Sequence, residues 1–493
     1  MPDIEQKLYQ LIINRLDGER LSSTSYQEEI LSLVEKGIGG FIVFGGEKDE
    51  AKNWIAHLQS LSKNPLFIAS DIERGAGQQI DGSSLFPGQM AIAAATDIHN
   101  FNSVKVLGDV IKAIACESID LGINMPLIPV LDVNKNPDNP IICTRAFSDN
   151  PAVVAWYGRM YVRTLQKKGL LSCAKHFPGH GDTAIDSHIS LPVISKSFRE
   201  LNDADLFPFI EAVKTGVSSI MIGHLTVPAL DDIPASFSSR VITDLLRIEL
   251  GYEGLILTDA LNMHALNRFH NVPAMCLNAG VDILLHPVDA HSVVEELKRS
   301  LASGEIREEI IDTAIERILK YKSKIKNIGE TEVNYCKHAV LSASISDMAI
   351  TLVKEKPGML PLEDMQNTSL LYTADENRHD LSAMKNIIPE SINVRDYNGA
   401  HLQDTIIIVL FTSIAAWAGS SGVRSDEITL IKELIKKSHN SFVISFGSPY
   451  VLRHFPEADI LIAAYDTSQQ AQSSVIKCLN GEITVTGKLP VTL

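Results

Sequence analysis

Eight short apolar runs recur along the first two thirds of the chain, at residues 11–14, 39–44, 66–70, 122–131, 170–175, 219–223, 254–258 and 282–285. Amphipathic helical patterns lie between them, which is the rhythm of βαβ units and of a parallel sheet. The residues that close the runs narrow the choice further. Gly45-Gly46, Asp71, Asp132, His176, His224, Asp259 and His286 stand at the C-terminal ends of successive runs. In a (β/α)8 barrel those ends converge on one face, where several strands together build a site. A doubly wound open sheet would gather them at one switch point and would carry a glycine-rich phosphate turn after its first strand. Gly37, Gly39 and Gly40 instead lie at the start of a run. The pattern therefore predicts an α/β chain with an N-terminal (β/α)8 TIM-type barrel.

At 493 residues the chain exceeds one ordinary domain. A helical pattern over 303–324 ends the barrel region, giving a barrel domain over 1–325 and a linker over 326–340. A smaller α/β sandwich domain is expected over 341–493, with strands at 369–372, 405–411, 441–446 and 460–464 and a polar helix at 425–437. Its strand ends hold no titratable cluster beyond Asp466, so its expected role is structural or regulatory. The net charge of −16 argues against nucleic acid or an anionic membrane as partner and favours a small-molecule enzyme. The six cysteines are scattered, several within apolar runs and with no Cys-x-x-Cys pair, as expected of reduced core residues. The start, Met1-Pro2-Asp3-Ile4-Glu5-Gln6, has no basic segment leading into an apolar one, and no stretch is long enough to span a bilayer. The expected location is cytoplasmic.

The densest chemistry follows the run at 170–175. Lys175-His176-Phe177-Pro178-Gly179-His180-Gly181-Asp182-Thr183 breaks the strand on proline and glycines, then leads to Asp186-Ser187-His188. Titratable groups on a glycine-hinged loop held by a rigid strand suit a mobile catalytic loop. Asp186 and His188, at i and i+2, fall on the same side of an extended segment, so the carboxylate can fix the tautomer of the imidazole. Such a His can protonate a leaving group and later deprotonate water; an incidental Asp–His contact in a polar loop is the plainer alternative. Asp259 closes a buried strand and suits a nucleophile, while Asp is also a favoured N-cap for a helix beginning at Ala260. A divalent site from His176, His180, Asp182 and His188 is conceivable, but Lys175 and the intervening glycines argue against it, so no metal and no cofactor are expected. Asp71 and Arg145 are candidates for charge-assisted hydrogen bonds to sugar hydroxyls, or else a strand-end cap and a surface arginine.

The loop motif resembles the signature of glycoside hydrolase family 3, in its β-N-acetylhexosaminidase branch. The resemblance extends through Pro129-Val130-Leu131-Asp132, Arg145-Ala146-Phe147-Ser148-Asp149, Met221-Ile222-Gly223-His224 and Leu257-Thr258-Asp259-Ala260-Leu261. It continues more thinly through Leu360-Pro361-Leu362 and Gly487-Lys488-Leu489-Pro490. It implies retaining release of terminal N-acetylglucosamine (GlcNAc) from muropeptides or chitooligosaccharides through a covalent glycosyl–Asp259 intermediate. Asp186 and His188 match the family's dyad, in which His serves as acid/base in place of a second carboxylate. Asp71, Arg145, Lys175 and His176 match its sugar-binding positions. The implied partner is a small GlcNAc-containing carbohydrate, and the alternative activity is a phosphorylase that passes the sugar to phosphate. One departure stands out: the family often follows the Asp71 position with Gln-Glu-Gly-Gly-Arg, whereas this chain has Ile72-Glu73-Arg74-Gly75-Ala76. Oligomeric state is not legible in the sequence.

Overall fold

The computed structural model describes residues 3–183, 191–325, 332–362, 364–365, 367–373, 379–388, 391–412 and 422–493. Its contacts divide the chain into two units. One comprises Met1–Leu85, Gly108–Val133 and Asn150–His338, the other Phe86–Leu107, Asn134–Asp149 and Ala339–Leu493. Two stretches from the barrel half of the sequence, 86–107 and 134–149, thus group with the C-terminal residues.

All eight expected strands form in the first unit: β1 (Ile12–Asp17), β2 (Gly40–Phe44), β3 (Phe67–Ser70), β4 (Met125–Pro126), β5 (Cys173–Phe177), β6 (Ser219–Ile222), β7 (Leu255–Thr258) and β8 (Leu284–Leu285). One parallel sheet runs β8-β1-β2-β3-β4 and another β5-β6-β7. Two parallel bridges, Val130 to Lys175 and Leu257 to Ile283, join these sheets at both seams and close the barrel. Register is set by pairs such as Ile13 with Gly40 and Ile13 with Leu285. Strands covered on both faces are free to be apolar throughout, and β3, β6 and β7 are buried along their whole length.

The helices between them bury single stripes. Helix Thr24–Glu35 turns Tyr26, Ile30, Leu33 and Val34 inward, the i, i+4, i+7, i+8 pattern of one helical face. Helix Pro151–Lys167 starts on an Asn150 side-chain cap with Pro151 at its first position, then buries Val154, Tyr157, Tyr161 and Leu165. Each such Val or Leu contributes about 1.5–3 kcal/mol by leaving water. The helix expected over 303–324 is shorter, Glu308–Lys322, because Gly304 takes a left-handed turn between it and helix Ala290–Ala302.

The second unit is built on a six-stranded sheet whose chain-order members are β9 (Thr351–Lys354), β10 (Thr368–Thr373), β11 (Ser391–Asn393), β12 (Thr405–Phe411), β13 (Asn440–Phe446) and β14 (Ile460–Ala463). Spatially the order is β9-β14-β13-β12-β10-β11, parallel except for β9. Ile407, Val409, Phe442, Ile444 and Ile462 centre its core with Val475 and Leu479 of helix Gln469–Leu479. The six cysteines are unpaired; Cys143, Cys173, Cys276 and Cys478 are buried as expected, but Cys336 is exposed. Among the described residues no helix is long and apolar enough to cross a membrane.

Candidate active site

β5 is buried at every position, so the two polar residues it carries must find their partners inside the barrel. Lys175 Nζ lies 2.6 Å from Asp71 Oδ1 and 2.8 Å from Glu73 Oε1, with 2% of its side chain exposed. Asp71 immediately follows β3 and keeps 32% of its side chain exposed. One ammonium between two carboxylates leaves the trio net negative, and the partly exposed Asp71 retains acceptor capacity for a ligand hydroxyl.

His176 is paired on the other side. Its Nδ1 lies 2.7 Å from Asp132 Oδ2, and Asp132 Oδ1 accepts the backbone N–H of His180 at 2.6 Å and that of His176 at 3.3 Å. Burial pushes the Asp132 carboxyl upward, but the imidazoles of His176 and His180 and the bonds it accepts outweigh burial and hold it below the usual range. An ionised Asp132 only accepts, so Nδ1 of His176 carries the proton of this hydrogen bond and leaves Nε2 facing away from the carboxylate. His180 is itself buried, and that burial drives its pKa down to about 4.

Beyond β5 the chain depends on two glycines. Gly179 has φ +129°, and a Cβ there would stand 2.7 Å from Asp205 Cβ; a Cβ on Gly181 would meet Val133 O at 1.9 Å. Only glycine lets this loop lie so close to the chain after β4. Lys196 then bridges Asp182 Oδ2 at 2.9 Å and the buried Asp205 Oδ2 at 2.7 Å. Asp186 and His188 lie outside the described residues.

Asp259 follows β7. Its N–H donates to Ile222 O of β6 at 2.9 Å and its Oδ1 accepts Ala260 N–H at 2.7 Å. No helix begins at Ala260: the next helical turn is His264–Leu266, preceded by Met263, so helix capping does not account for the carboxylate. Asp259 is electrostatically coupled to His180 and to His286, and His286 is coupled in turn to Asp71. Thr258 Oγ1 accepts Leu285 N–H at 3.0 Å and fixes the tips of β7 and β8 together.

The first unit therefore brings Asp71, Lys175, His176 and Asp259 to the carboxyl ends of its strands. Arg145 belongs to the second unit. It ends the turn Cys143–Arg145, which Asn134 Oδ1 secures by accepting Cys143 N–H at 2.9 Å, and its Nη1 donates to Ile141 O at 3.3 Å. Sequence reading missed Glu73, whose only signal was its two-residue spacing from Asp71. It noted Asp132 without pairing it with His176, because that pairing spans 44 residues.

The arrangement supplies a carboxylate at a rigid strand tip, a buried cation clamp and an imidazole of fixed tautomer. Comparison with known proteins agrees with such chemistry. The profile of the Glycosyl hydrolase family 3 N terminal domain matches residues 3–321. A Beta-hexosaminidase A of Pseudoalteromonas piscicida is 30% identical, with 96% of this chain and 92% of that protein covered. A Beta-N-acetylglucosaminidase/beta-glucosidase of Cellulomonas fimi is 27% identical, covering 94% of this chain and 90% of its own. Among solved structures, a glycoside hydrolase family 3 beta-N-acetylglucosaminidase from Paenibacillus sp. str. FPU-7 superposes with a TM-score of 0.84 at 27% identity, over 100% of this chain and 99% of the other.

Proposed function

Because the chain belongs to glycosyl hydrolase family 3 and is a glycoside hydrolase, we propose that it is a retaining exo-β-N-acetylglucosaminidase acting on muropeptides or chitooligosaccharides. The observation that carries the reading is the placement of Asp259 at the tip of β7, on the same strand-end face as the Asp71 that pairs with Lys175. In this reading the Asp259 carboxylate attacks the anomeric carbon as the bond to the leaving oxygen breaks, giving a glycosyl ester. His188, oriented by Asp186, donates its proton to the leaving oxygen. It then takes a proton from the water that attacks the same carbon and frees Asp259.

A His acid/base makes physical sense beside Asp259, since a second carboxylate would place like charges at the reacting bond. Asp71, Lys175 and His176 serve as the groups that hold the sugar hydroxyls. A cytoplasmic setting and a part in peptidoglycan recycling belong to the same proposal, and the six unpaired thiols suit a reducing compartment.

The test is a panel of aryl β-glycosides assayed with and without phosphate. Release of free GlcNAc with retention, unaffected by phosphate, supports hydrolysis. Acceleration by phosphate with formation of a sugar 1-phosphate would turn the reading to a phosphorylase using the same residues.

A further inference from the structure

β8 ends at Leu285, and the following residue, His286, adopts φ +48°, a left-handed conformation that glycine or asparagine takes at lower cost. Its backbone is held on both sides. The N–H donates to Ile13 O of β1 at 2.8 Å, and the carbonyl accepts Asn262 N–H at 3.2 Å from the segment that follows Asp259. That structural work needs no side chain, so glycine would do it with less strain.

The imidazole is placed with equal definition. It is 8% exposed, its ring centre lies 5.5 Å from that of Phe44 at a 37° tilt, and Nε2 is 3.4 Å from Asn262 Nδ2. Three charged groups act on it from neighbouring strands: Arg15 on β1, Asp71 after β3 and Asp259 after β7. Burial first, and then the Arg15 cation, bring its pKa down to about 4, so the ring is neutral near pH 7. A neutral imidazole offers one donor and one acceptor, the complement of a hydroxyl. A lysine or arginine in its place would be drawn onto Asp71 or Asp259.

We infer that His286 is a sugar-contacting residue of this site, its imidazole hydrogen-bonding a hydroxyl of the terminal sugar while Asp259 acts at the anomeric carbon. The inference rests on the glycosidase reading and adds a residue to it.

The full-length chain carrying His286→Gly or His286→Asn tests it against wild type on an aryl β-GlcNAc substrate. Both variants relieve the left-handed strain while giving up the packing on Phe44, so each is expected to fold, with a melting temperature within a few degrees of wild type that is measured alongside activity. His286→Gly is expected to lose about tenfold or more in kcat/KM and to weaken inhibition by free GlcNAc in parallel, as loss of a substrate hydrogen bond requires. His286→Asn, whose amide also carries a donor and an acceptor, should recover part of both. A folded His286→Gly protein with kcat/KM and GlcNAc inhibition both within about twofold of wild type overturns the inference. Wild-type inactivity on every aryl β-glycoside overturns the glycosidase reading itself, a separable result because GlcNAc binding to wild type and variant is still measurable by calorimetry.

Discussion

Asp132 Oδ2 and His176 Nδ1 lie 2.7 Å apart in a buried pair, and the same carboxylate takes the backbone N–H groups of both His176 and His180. One side chain thus sets the tautomer of an imidazole and the path of the loop leaving β5. Asp132→Asn keeps the volume but lets the amide donate, which permits the opposite tautomer of His176. We expect kcat/KM to fall by about tenfold or more, by analogy with the loss when a tautomer-fixing carboxylate is amidated. The pH dependence is a second readout. The folded pKa of Asp132 lies below its unfolded value, so its stability contribution is present above the unfolded carboxylate range and is lost as pH falls through the folded pKa. The Asn variant should therefore lose less stability than wild type between about pH 5 and 3 in urea melts. Equal acid limbs would refute the argument.

Lys175 sits at 2.6 and 2.8 Å from Asp71 and Glu73, with Glu73 buried beside it. Removing the cation takes one charge partner from the buried Glu73 carboxylate, and breaking such a buried pair costs up to about 3–5 kcal/mol. Lys175→Met should accordingly lower stability, and adding Glu73→Gln should restore part of the loss by removing a buried charge that has lost its Lys175 partner. A double-mutant cycle by chemical denaturation measures the coupling directly. Simple additivity of the two single changes would show that Glu73 and Lys175 do not stabilise one another.

Asp259 is attached to β6 and β7 through its backbone, so truncating its side chain leaves the strand pairing in place. Asp259→Ala is expected to reduce turnover of an aryl β-GlcNAc by about a thousandfold or more with little change in melting temperature. With wild type, a slow 2-fluoro sugar should leave a covalent adduct on a peptide containing Asp259, found by mass spectrometry. Near-wild-type activity of the Ala protein, or an adduct elsewhere, would remove Asp259 from the nucleophilic role.

The barrel was legible because its strands are apolar runs, most of them ended by a polar or titratable residue, a pattern that needs no long-range information. β4 shows where this stops. The run at 122–131 contains Pro126 and Pro129, which have no N–H to give a ladder, so regular pairing is confined to Met125–Pro126. The seam with β5 is made instead by separate bonds such as Leu131 N–H to Lys175 O at 2.7 Å. β9 was not read as a strand, since its antiparallel place at the sheet edge is set by Ile460–Ala463, more than a hundred residues away. Asp71, His176 and Asp259 were singled out by their position at strand ends, and Lys175 by the loop motif and the family resemblance. Glu73 escaped because its meaning lies in a partner 102 residues further along, and periodicity does not register such pairs.

Lys322 offers a test of the barrel remote from the chemistry. It ends helix Glu308–Lys322, is 1% exposed, places Nζ 3.0 Å from Gln10 Oε1 and stands 5.1 Å above the Phe67 ring. Burial lowers its pKa to about 7. Between that value and the ordinary lysine range the unfolded chain binds a proton that the folded chain does not, so stability rises with pH there by up to about 1.4 kcal/mol per unit. Below about pH 7 both states are protonated and this contribution is flat. Lys322→Met removes the titration but leaves Gln10 Oε1 without this donor, a cost of about 1–3 kcal/mol that does not vary with pH. The difference between the two proteins therefore isolates the lysine. Relative to wild type, the Met variant should lose about 2–3 kcal/mol of its standing between pH 7 and 9.5 in urea melts. A difference that stays constant across that interval would mean that Lys322 remains charged in the fold, held there by its carbonyl and aromatic neighbours.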